Sequence, residues 1–363
     1  MPYKFIMTGG GTGGHVFPAL AVARVLRERG HQLLFIGTQE GMESRLVPED
    51  GFDMAFVRVG GLNRVGLRKQ MRTAFQLPGG IATAWGIFKR FRPDAVFSTG
   101  GFVSGPVSLA AIFSNTPLIV LEPNAIPGFA NRRVARRVHK ALLGFPSTAA
   151  WFPPAKSEVI GYPVRPEFFS LRPGQNRAFT LLITGGSRGA RSLNRAVRES
   201  WPLFQEAKSP VRIIHQTGVA ELERLASEFA ATGLNGEVVP FIRDMVAAFG
   251  NADLVVGRSG AGAVSEIAAA GMPSVLVPLP FAADDHQRRN AETFVDAGAA
   301  RMLLDSDLSG ARLFEAVEAL RNDQDELRRM RDRVRQFAKP GAAERAAAVL
   351  EEIAAQRRMP KAR

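Results

Sequence analysis

The sequence predicts an α/β protein made of two Rossmann-like domains in tandem. Three observations lead there. The chain opens on an apolar strand, a glycine loop and a helix. The same succession returns near its middle. Its 363 residues suffice for two domains, each able to bury a core of its own.

In the first half, Tyr3–Thr8 reads as a buried strand, followed by Gly9-Gly10-Gly11-Thr12-Gly13-Gly14-His15. A helix is expected from Phe17 to Arg29, stopping at Gly30, and the next strand over Leu33–Ile36. In the second half, Phe179–Thr184 is the strand and Gly185-Gly186-Ser187-Arg188-Gly189-Ala190 the glycine loop, with a helix from Ser192. Strands over Arg212–His215, Leu254–Gly257 and Ser274–Pro278 continue the alternation that a parallel sheet requires. The boundary is expected within Gly161–Arg177, which is rich in Pro and Gly. That gives an N-terminal domain over 1–160 and a C-terminal domain over 161–340. Residues 341–363 read as a terminal helix and tail, with Val349, Leu350 and Ile353 at helical spacing, able to pack on either domain.

Composition removes several classes. The chain has no cysteine, which excludes disulfides and thiolate metal sites. Its first residues lack the charged start, long apolar centre and cleavage site of a signal peptide. The longest uncharged stretch, Ala95–Leu121, is interrupted by Gly100, Gly101, Gly105, Pro106, Asn115 and Pro117. Strand, loop, short helix and strand fit it better than a bilayer span, so a soluble, cytoplasmic protein is expected. The net charge is +13 and unevenly placed: residues 1–160 hold 19 Lys and Arg against 9 Asp and Glu. Two stretches, Asp53–Asp94 and Glu122–Glu158, have no acid between their ends. Solvated helix faces account for either alone; together they suggest nucleic acid, anionic lipid or an anionic substrate.

Gly9-x-Gly11-x-x-Gly14 matches the dinucleotide fingerprint. Binding of NAD also needs an acid at the end of the second strand, where Phe35-Ile36-Gly37-Thr38 offers none before Glu40. NAD is therefore not expected. A glycine loop opening a helix still presents backbone N–H groups and a dipole to an anion, and both halves carry one. In the second half, Arg258-Ser259-Gly260-Ala261-Gly262 is a small-residue turn entering a helix that stops at Gly271-Met272-Pro273. Glu266, in the first turn, could accept from two ribose hydroxyls; the plainer account is a helix-dipole charge worth about 0.3–1 kcal/mol. Asp284-Asp285-His286-Gln287 suits sugar hydroxyls, or is simply a polar helix start. Asp305-Ser306-Asp307 reads as a turn or N-cap, and no metal or cofactor is expected.

At this point a resemblance is specific. GGGTGGHVFPALAVA (9–23), GGFVSGP (100–106), EPN (122–124), PVR (163–165), TGGSRGARSLN (184–194), RSGAGAVSEIAAAG (258–271) and DHQ (285–287) together resemble the MurG family. These bacterial enzymes add N-acetylglucosamine to undecaprenyl-pyrophosphoryl-N-acetylmuramyl-pentapeptide. The resemblance covers nearly the whole chain. It implies the GT-B arrangement with a deep cleft, UDP-N-acetylglucosamine on the C-terminal domain and the lipid-linked acceptor on the N-terminal one. It implies that Arg165, Ser187 and Ile242 meet the donor nucleotide or its phosphates. Ser259, Ala261, Gly262, Ala263, Val264, Ser265 and Glu266 would line the uridine and phosphate site, with Glu266 on the ribose. Gln287, with His286, would hold sugar hydroxyls. Thr12, Gly13, Gly14 and Asn124 would face the transferred sugar and the acceptor pyrophosphate. The chain departs from the family at Leu121 and Pro123, where His and Gln are common, at Tyr162, where Asn is usual, and at Arg188, where Gln is usual. These departures bear on acceptor contacts, not on the reaction type.

The implied reaction is one inverting displacement: the acceptor's 4-hydroxyl attacks and UDP leaves, converting lipid I to lipid II. His15 is the candidate base, because a helix start disfavours imidazolium; alternatively it hydrogen-bonds the loop or the acceptor phosphate. Glu122 is the weaker candidate. The Ser259–Gly262 helix start, Ser187 and Arg165 would meet the leaving-group charge without metal. Leu77, Ile81, Trp85, Ile87, Phe88 and Phe91, among Arg64, Arg68, Lys69, Arg72, Lys89, Arg90 and Arg92, suggest peripheral docking of the N-terminal domain on the anionic cytoplasmic face of the cell membrane. A core helix with a basic outer face is the competing account. Rival functions are a UDP-N-acetylglucosamine 2-epimerase and another lipid glycosyltransferase, such as a diacylglycerol galactosyltransferase. A nucleic-acid binder would explain the charge but not two phosphate loops, and no nucleic-acid partner is expected.

Overall fold

The computed structural model describes residues 2–60, 67–172, 178–208 and 210–359. The chain divides into two compact units: Met1–Val164 with Gly341–Arg363, and Arg165–Pro340.

The first unit runs β1 (Lys4–Thr8), α1 (Gly13–Glu28), β2 (Gln32–Gly37), α2 (Glu43–Glu49), β3 (Met54–Phe56), α3 (Leu67–Phe91), β4 (Ala95–Ser98), α4 (Ser104–Phe113), β5 (Leu118–Glu122), α5 (Phe129–Val134), β6 (Lys140–Leu143) and β7 (Ser157–Val159). Its seven strands are parallel, in the order β3-β2-β1-β4-β5-β6-β7. A parallel sheet is covered on both faces, so its central strands are apolar throughout rather than alternating. Every residue of β4 and β5 is buried. Phe5 and Met7 face one core with Leu20, Ala23 and Leu26 of α1, while Ile6 faces the other with Val107 of α4 and Phe88 of α3.

The second unit runs β8 (Phe179–Thr184), α6 (Arg191–Glu206), β9 (Val211–Gln216), α7 (Leu222–Thr232), β10 (Asn235–Val239), α8 (Met245–Gly250), β11 (Leu254–Gly257), α9 (Ala261–Ala270), β12 (Ser274–Leu276), α10 (His286–Asp296), β13 (Arg301–Met302), α11 (Gly310–Arg321) and α12 (Gln324–Arg335). Its sheet is also parallel, in the order β10-β9-β8-β11-β12-β13. Leu181, Ile183, Val197, Phe204, Ile213 and Val256 anchor its core.

The last helix, α13 (Ala342–Arg358), returns to the first unit. Ala346, Ala347, Val349, Leu350 and Ala354 pack into the core beneath α1. Full burial of Val349 and Leu350 is worth about 1.5–3 kcal/mol each. Arg358 Nε donates to Asp94 Oδ1 at 2.8 Å and ties the helix end to the start of β4.

Two sequence expectations shift, the start of α1 and the outer face of α3, while the reading of Ala95–Leu121 holds. α1 begins at Gly13, four residues before Phe17, because Thr12 is already extended and the turn closes from Thr12 O to His15 N and Val16 N. Ala95–Leu121 resolves into β4, α4 and most of β5; among the described residues no helix is long and apolar enough to cross a membrane. In α3, Ile87 and Phe88 are core residues and Ile81 and Phe91 pack against the core. The apolar outer face expected there is reduced to Trp85, 36% exposed, and half-buried Leu77. Arg64 lies outside the described residues, as do the side chains of Arg68, Lys69 and Arg72.

Candidate active site

Strand order decides where ligands bind. In each sheet the chain builds outward from a central strand, then crosses to its other side: β1 lies between β2 and β4, and β8 between β9 and β11. At such a switch point the two flanking loops run apart and leave a crevice beyond the strand ends. Both glycine loops fall there.

In the first unit, the loop after β1 meets the loop after β4. Gly101 has φ +85°, and a Cβ on it would lie 2.2 Å from Gly10 O, so only glycine allows the two backbones this close. Beneath them sits Glu43, 1% exposed. Its Oε2 accepts from Gly11 N at 3.0 Å and its Oε1 from Thr38 N and Thr38 Oγ1 at 3.0 and 2.8 Å. Gly11 N is thus taken by a carboxylate, and the anion-binding reading of this loop narrows to the α1 start at Thr12, Gly13 and Gly14. Among these, Thr12 and Gly14 are exposed.

His15 is the third residue of α1. Its Nδ1 lies 2.8 Å from Thr99 O, and Thr99 Oγ1 donates to His15 O at 2.6 Å. Facing a carbonyl, Nδ1 carries a proton. A Cβ on Gly100 would meet both the His15 ring and Asn131 Nδ2, which donates to Glu122 Oε2 at 2.9 Å. Glu122 is 1% exposed, and its oxygens also accept from Asn124 N, Asn124 Nδ2 and Gly128 N. Burial raises its carboxyl above the ordinary range, and the hydrogen bonds from Asn131, Asn124 and Gly128 pull it back. A carboxylate so enclosed cannot reach an acceptor hydroxyl. Glu122 is withdrawn as a base candidate; it holds the 123–131 loop. Asn124 spends its amide on Glu122 and its carbonyl on Thr148 Oγ1. Tyr162, buried, directs its hydroxyl at Gly14 O, 3.5 Å away.

The second unit assembles the other predicted residues. Glu266 lies in the second turn of α9, one turn later than expected, half-buried. Its carboxyl is pushed up from 4.5 to about 7 by desolvation, with the Arg165 charge pulling the other way. Among the described residues no hydrogen bond reaches that carboxyl. Arg165 is exposed, its guanidinium 5.1 Å from the Phe168 ring centre. Gln287 Oε1 accepts from Leu279 N at 3.0 Å, and its Nε2 points toward Gly260 at the α9 start. His286 directs Nδ1 at Ala283 O, 2.7 Å away. Both side chains are aimed by Asp284 and Asp285, two non-glycine residues with φ of 52° and 54°. Asp tolerates that left-handed region better than most residues.

Ser259 departs from expectation. It is fully buried, and its Oγ donates to Gln287 O at 2.7 Å. The hydroxyl ties the α9 turn to α10 and is not presented to a phosphate. Its neighbour Arg258 is an interior hub. Nη1 donates to Val277 O, Pro278 O and Asp305 Oδ1 at 3.1, 3.1 and 2.6 Å, and Nη2 to Ser192 Oγ at 2.8 Å. Asp305 is therefore a structural partner within a turn, and the N-cap of α11 is Ser309.

The glycine loop of this unit is closed by backbone crossing. Gly189 has φ +72°, and a Cβ there would stand 1.8 Å from Thr217 O. Ser187 and Arg188 are exposed at its tip. Ile242 N donates to Gln216 Oε1 at 2.8 Å. Glu43, Gln216 and Arg258 were not singled out from sequence. For Glu43 and Arg258 nothing distinguishes a buried charge from a surface one, and Gln216 ends a strand, Val211–Gln216, that already holds Arg212 and His215, so its polarity gives no signal.

Comparison with known proteins agrees with this layout. Residues 5–143 match the glycosyltransferase family 28 N-terminal domain, and residues 180–346 its C-terminal domain. A protein of Solibacter usitatus (strain Ellin6076), described as UDP-N-acetylglucosamine–N-acetylmuramyl-(pentapeptide) pyrophosphoryl-undecaprenol N-acetylglucosamine transferase, is 54% identical over 97% of this chain and 96% of its own. The chain belongs to the MurG family. A relative of the same description from Halorhodospira halophila (strain DSM 244 / SL1) is 44% identical over 96% of this chain and 98% of its own. The crystal structure of Acinetobacter baumannii MurG superposes with a TM-score of 0.82 at 33% identity, covering 97% of this chain and 100% of that one. The fold class is thus α/β with two Rossmann-like domains, that of a MurG-type GT-B enzyme. Glu43, Glu122 and Arg258 are, in this member of the family, interior supports for the loops that carry the exposed candidates.

Proposed function

We propose that this chain is an inverting glycosyltransferase. It moves N-acetylglucosamine from UDP-N-acetylglucosamine to the 4-hydroxyl of undecaprenyl-pyrophosphoryl-N-acetylmuramyl-pentapeptide, making lipid II from lipid I. The observation that carries the reading is Glu266: a half-buried carboxyl without a hydrogen-bond donor among the described residues, one turn into a helix whose start bears no side-chain cap. Two ribose hydroxyls would supply the missing donors. The N–H groups of Ala261, Gly262 and Ala263 would meet the pyrophosphate, because a helix start carries partial positive charge. Arg165 and Ser187 add to that field, and Val264 and Ser265 continue the wall. Gln287 Nε2 and His286 are set to bind the sugar hydroxyls.

At the acceptor, His15 takes the proton. With Nδ1–H given to Thr99 O, Nε2 is the basic nitrogen. The acceptor oxygen bonds to the anomeric carbon as the bond from that carbon to the diphosphate oxygen breaks; UDP carries off the electron pair. Thr12, Gly13 and Gly14 at the α1 start bind the acceptor pyrophosphate. The lipid-linked acceptor places the enzyme at the cytoplasmic face of the cell membrane. Exposed Trp85 and Phe113, with Lys89, Arg90 and Arg92, support docking of the first unit on an anionic leaflet. No retention on anionic vesicles at low salt would overturn that part.

The test is transfer of labelled N-acetylglucosamine to a short-chain lipid I analogue, with UDP-glucose and UDP-galactose as competing donors. Labelled disaccharide-lipid with release of UDP is expected. No product from an enzyme that still binds UDP would reject the acceptor and favour the 2-epimerase.

A further inference from the structure

Two loops carry residues expected at the donor nucleotide: Ser187 in Gly185–Ala190 after β8, and Ile242 in Pro240–Arg243 after β10. β8 and β10 are not neighbours; β9 lies between them. One side chain spans the gap. Gln216, the last residue of β9 and 1% exposed, accepts from Ile242 N on Oε1 at 2.8 Å. Its Nε2 donates to Gly186 O at 2.9 Å and to Thr184 Oγ1 at 3.2 Å. The two ends of a primary amide have opposite polarity, and each end is matched to its loop: an N–H on one side, two oxygens on the other. Thr184 Oγ1 in turn accepts from Gly186 N at 3.2 Å, closing a small ring at the base of the loop.

We propose that Gln216 is the positioning residue that holds the phosphate-side loop of Ser187 and the loop of Ile242 in register at the donor site. The proposal rests on the donor-site reading above. Gln216 itself touches no substrate; it acts through Gly186, next to Ser187, and through Ile242. Because its two ends serve different loops, they can be separated chemically. In Gln216→Glu a carboxylate still accepts from Ile242 N, but it cannot donate to Gly186 O and sets a negative charge against that carbonyl. In Gln216→Met both ends are lost at similar length. Thr184→Val removes part of the phosphate-side arm alone.

The experiment is titration of the full chain with UDP and with uridine, alongside thermal melting. For Q216E and T184V, UDP binding weakens roughly tenfold or more while uridine changes less than about threefold, since an unmet buried polar group costs about 1–3 kcal/mol only on the arm that lost its partner. For Q216M both ligands weaken. Donor KM rises in the same order, while acceptor KM stays put. A purely structural role would lower the melting temperature and weaken both ligands equally in Q216E. That outcome, or unchanged UDP binding in folded Q216E and T184V, overturns the proposal. Should Q216M fail to fold, the UDP-to-uridine ratio in the other two decides. Failure of the unsubstituted protein to bind UDP would instead reject the donor-site reading itself.

Discussion

Glu266 should make the protein less stable and bind its ligand better, and the two effects have opposite pH dependence. Its carboxyl is raised from 4.5 to about 7 by desolvation. Between those values the folded protein holds a proton that the unfolded chain has released. Stability therefore falls as pH rises through that window and stays at its lower level above about pH 7. A shift of this size has a ceiling of about 3 kcal/mol at roughly 1.4 kcal/mol per unit, and partial exposure reduces it to about 1–3 kcal/mol. Glu266→Gln keeps the shape and removes the charge. At pH 8.5 without ligand, the second unit of E266Q should melt higher by roughly 2–12 °C, at about 2–4 °C per kcal/mol for a domain of this size. At pH 4 the two proteins should melt together. With UDP the order reverses. Hydrogen bonds to a charged acceptor are worth about 1.5–3 kcal/mol, so E266Q should bind UDP roughly 10- to 150-fold more weakly at pH 8.5. Affinity of the parent should strengthen as pH rises toward about 7 and then level, while that of E266Q stays flat. Scanning calorimetry and titration at four pH values read all of this. An E266Q protein less stable than the parent at pH 8.5 without ligand would refute the desolvation argument. Equal affinity for UDP would refute the ribose assignment.

Other outcomes follow from the same geometry. His15→Ala should lower kcat about 10²- to 10⁴-fold with UDP affinity unchanged; a kcat within a few-fold of the parent removes His15 as the base. Asp305→Ala leaves the Arg258 guanidinium, 11% exposed, without its carboxylate, and urea unfolding should show a loss of about 3–5 kcal/mol. Gly189→Ala meets both a positive φ and the Thr217 carbonyl. It should lose at least about 2 kcal/mol by the same measurement, where an ordinary exposed loop glycine would lose little. Chelator should leave single-turnover transfer unchanged; its abolition would demand a metal.

Much of the architecture was legible before any coordinates. Two strand–glycine loop–helix units have a strong periodic signal, because a parallel strand buried on both faces must be apolar throughout and its crossover helix must present one apolar side. His15, Ser187, Glu266 and Gln287 could be named as candidates from the sequence, since motifs of small residues next to one polar residue are local features of the chain. What eluded sequence reasoning was direction and partnership. Glu122 looked able to act as a base, but the fold surrounds it with the Asn124, Gly128 and Asn131 donors. Ser259 looked like a phosphate ligand, but its hydroxyl turns inward to Gln287 O. Ile87 and Phe88 looked like part of a docking face, but α3 rolls them into the core. The alanine-rich terminal helix could have packed on either half until tertiary contacts put it beneath α1.

The sequence by itself determined the element types, the repeat and the family, because periodicity, glycine placement and short motifs are written in neighbouring residues. Only the tertiary structure decided strand order, and with it the two switch points where the loops open. Only it decided which of two chemically identical carboxyls is enclosed by donors, Glu122, and which, Glu266, has no hydrogen-bond donor among the described residues. Burial and hydrogen-bond satisfaction depend on residues distant in the chain, and no local pattern encodes them.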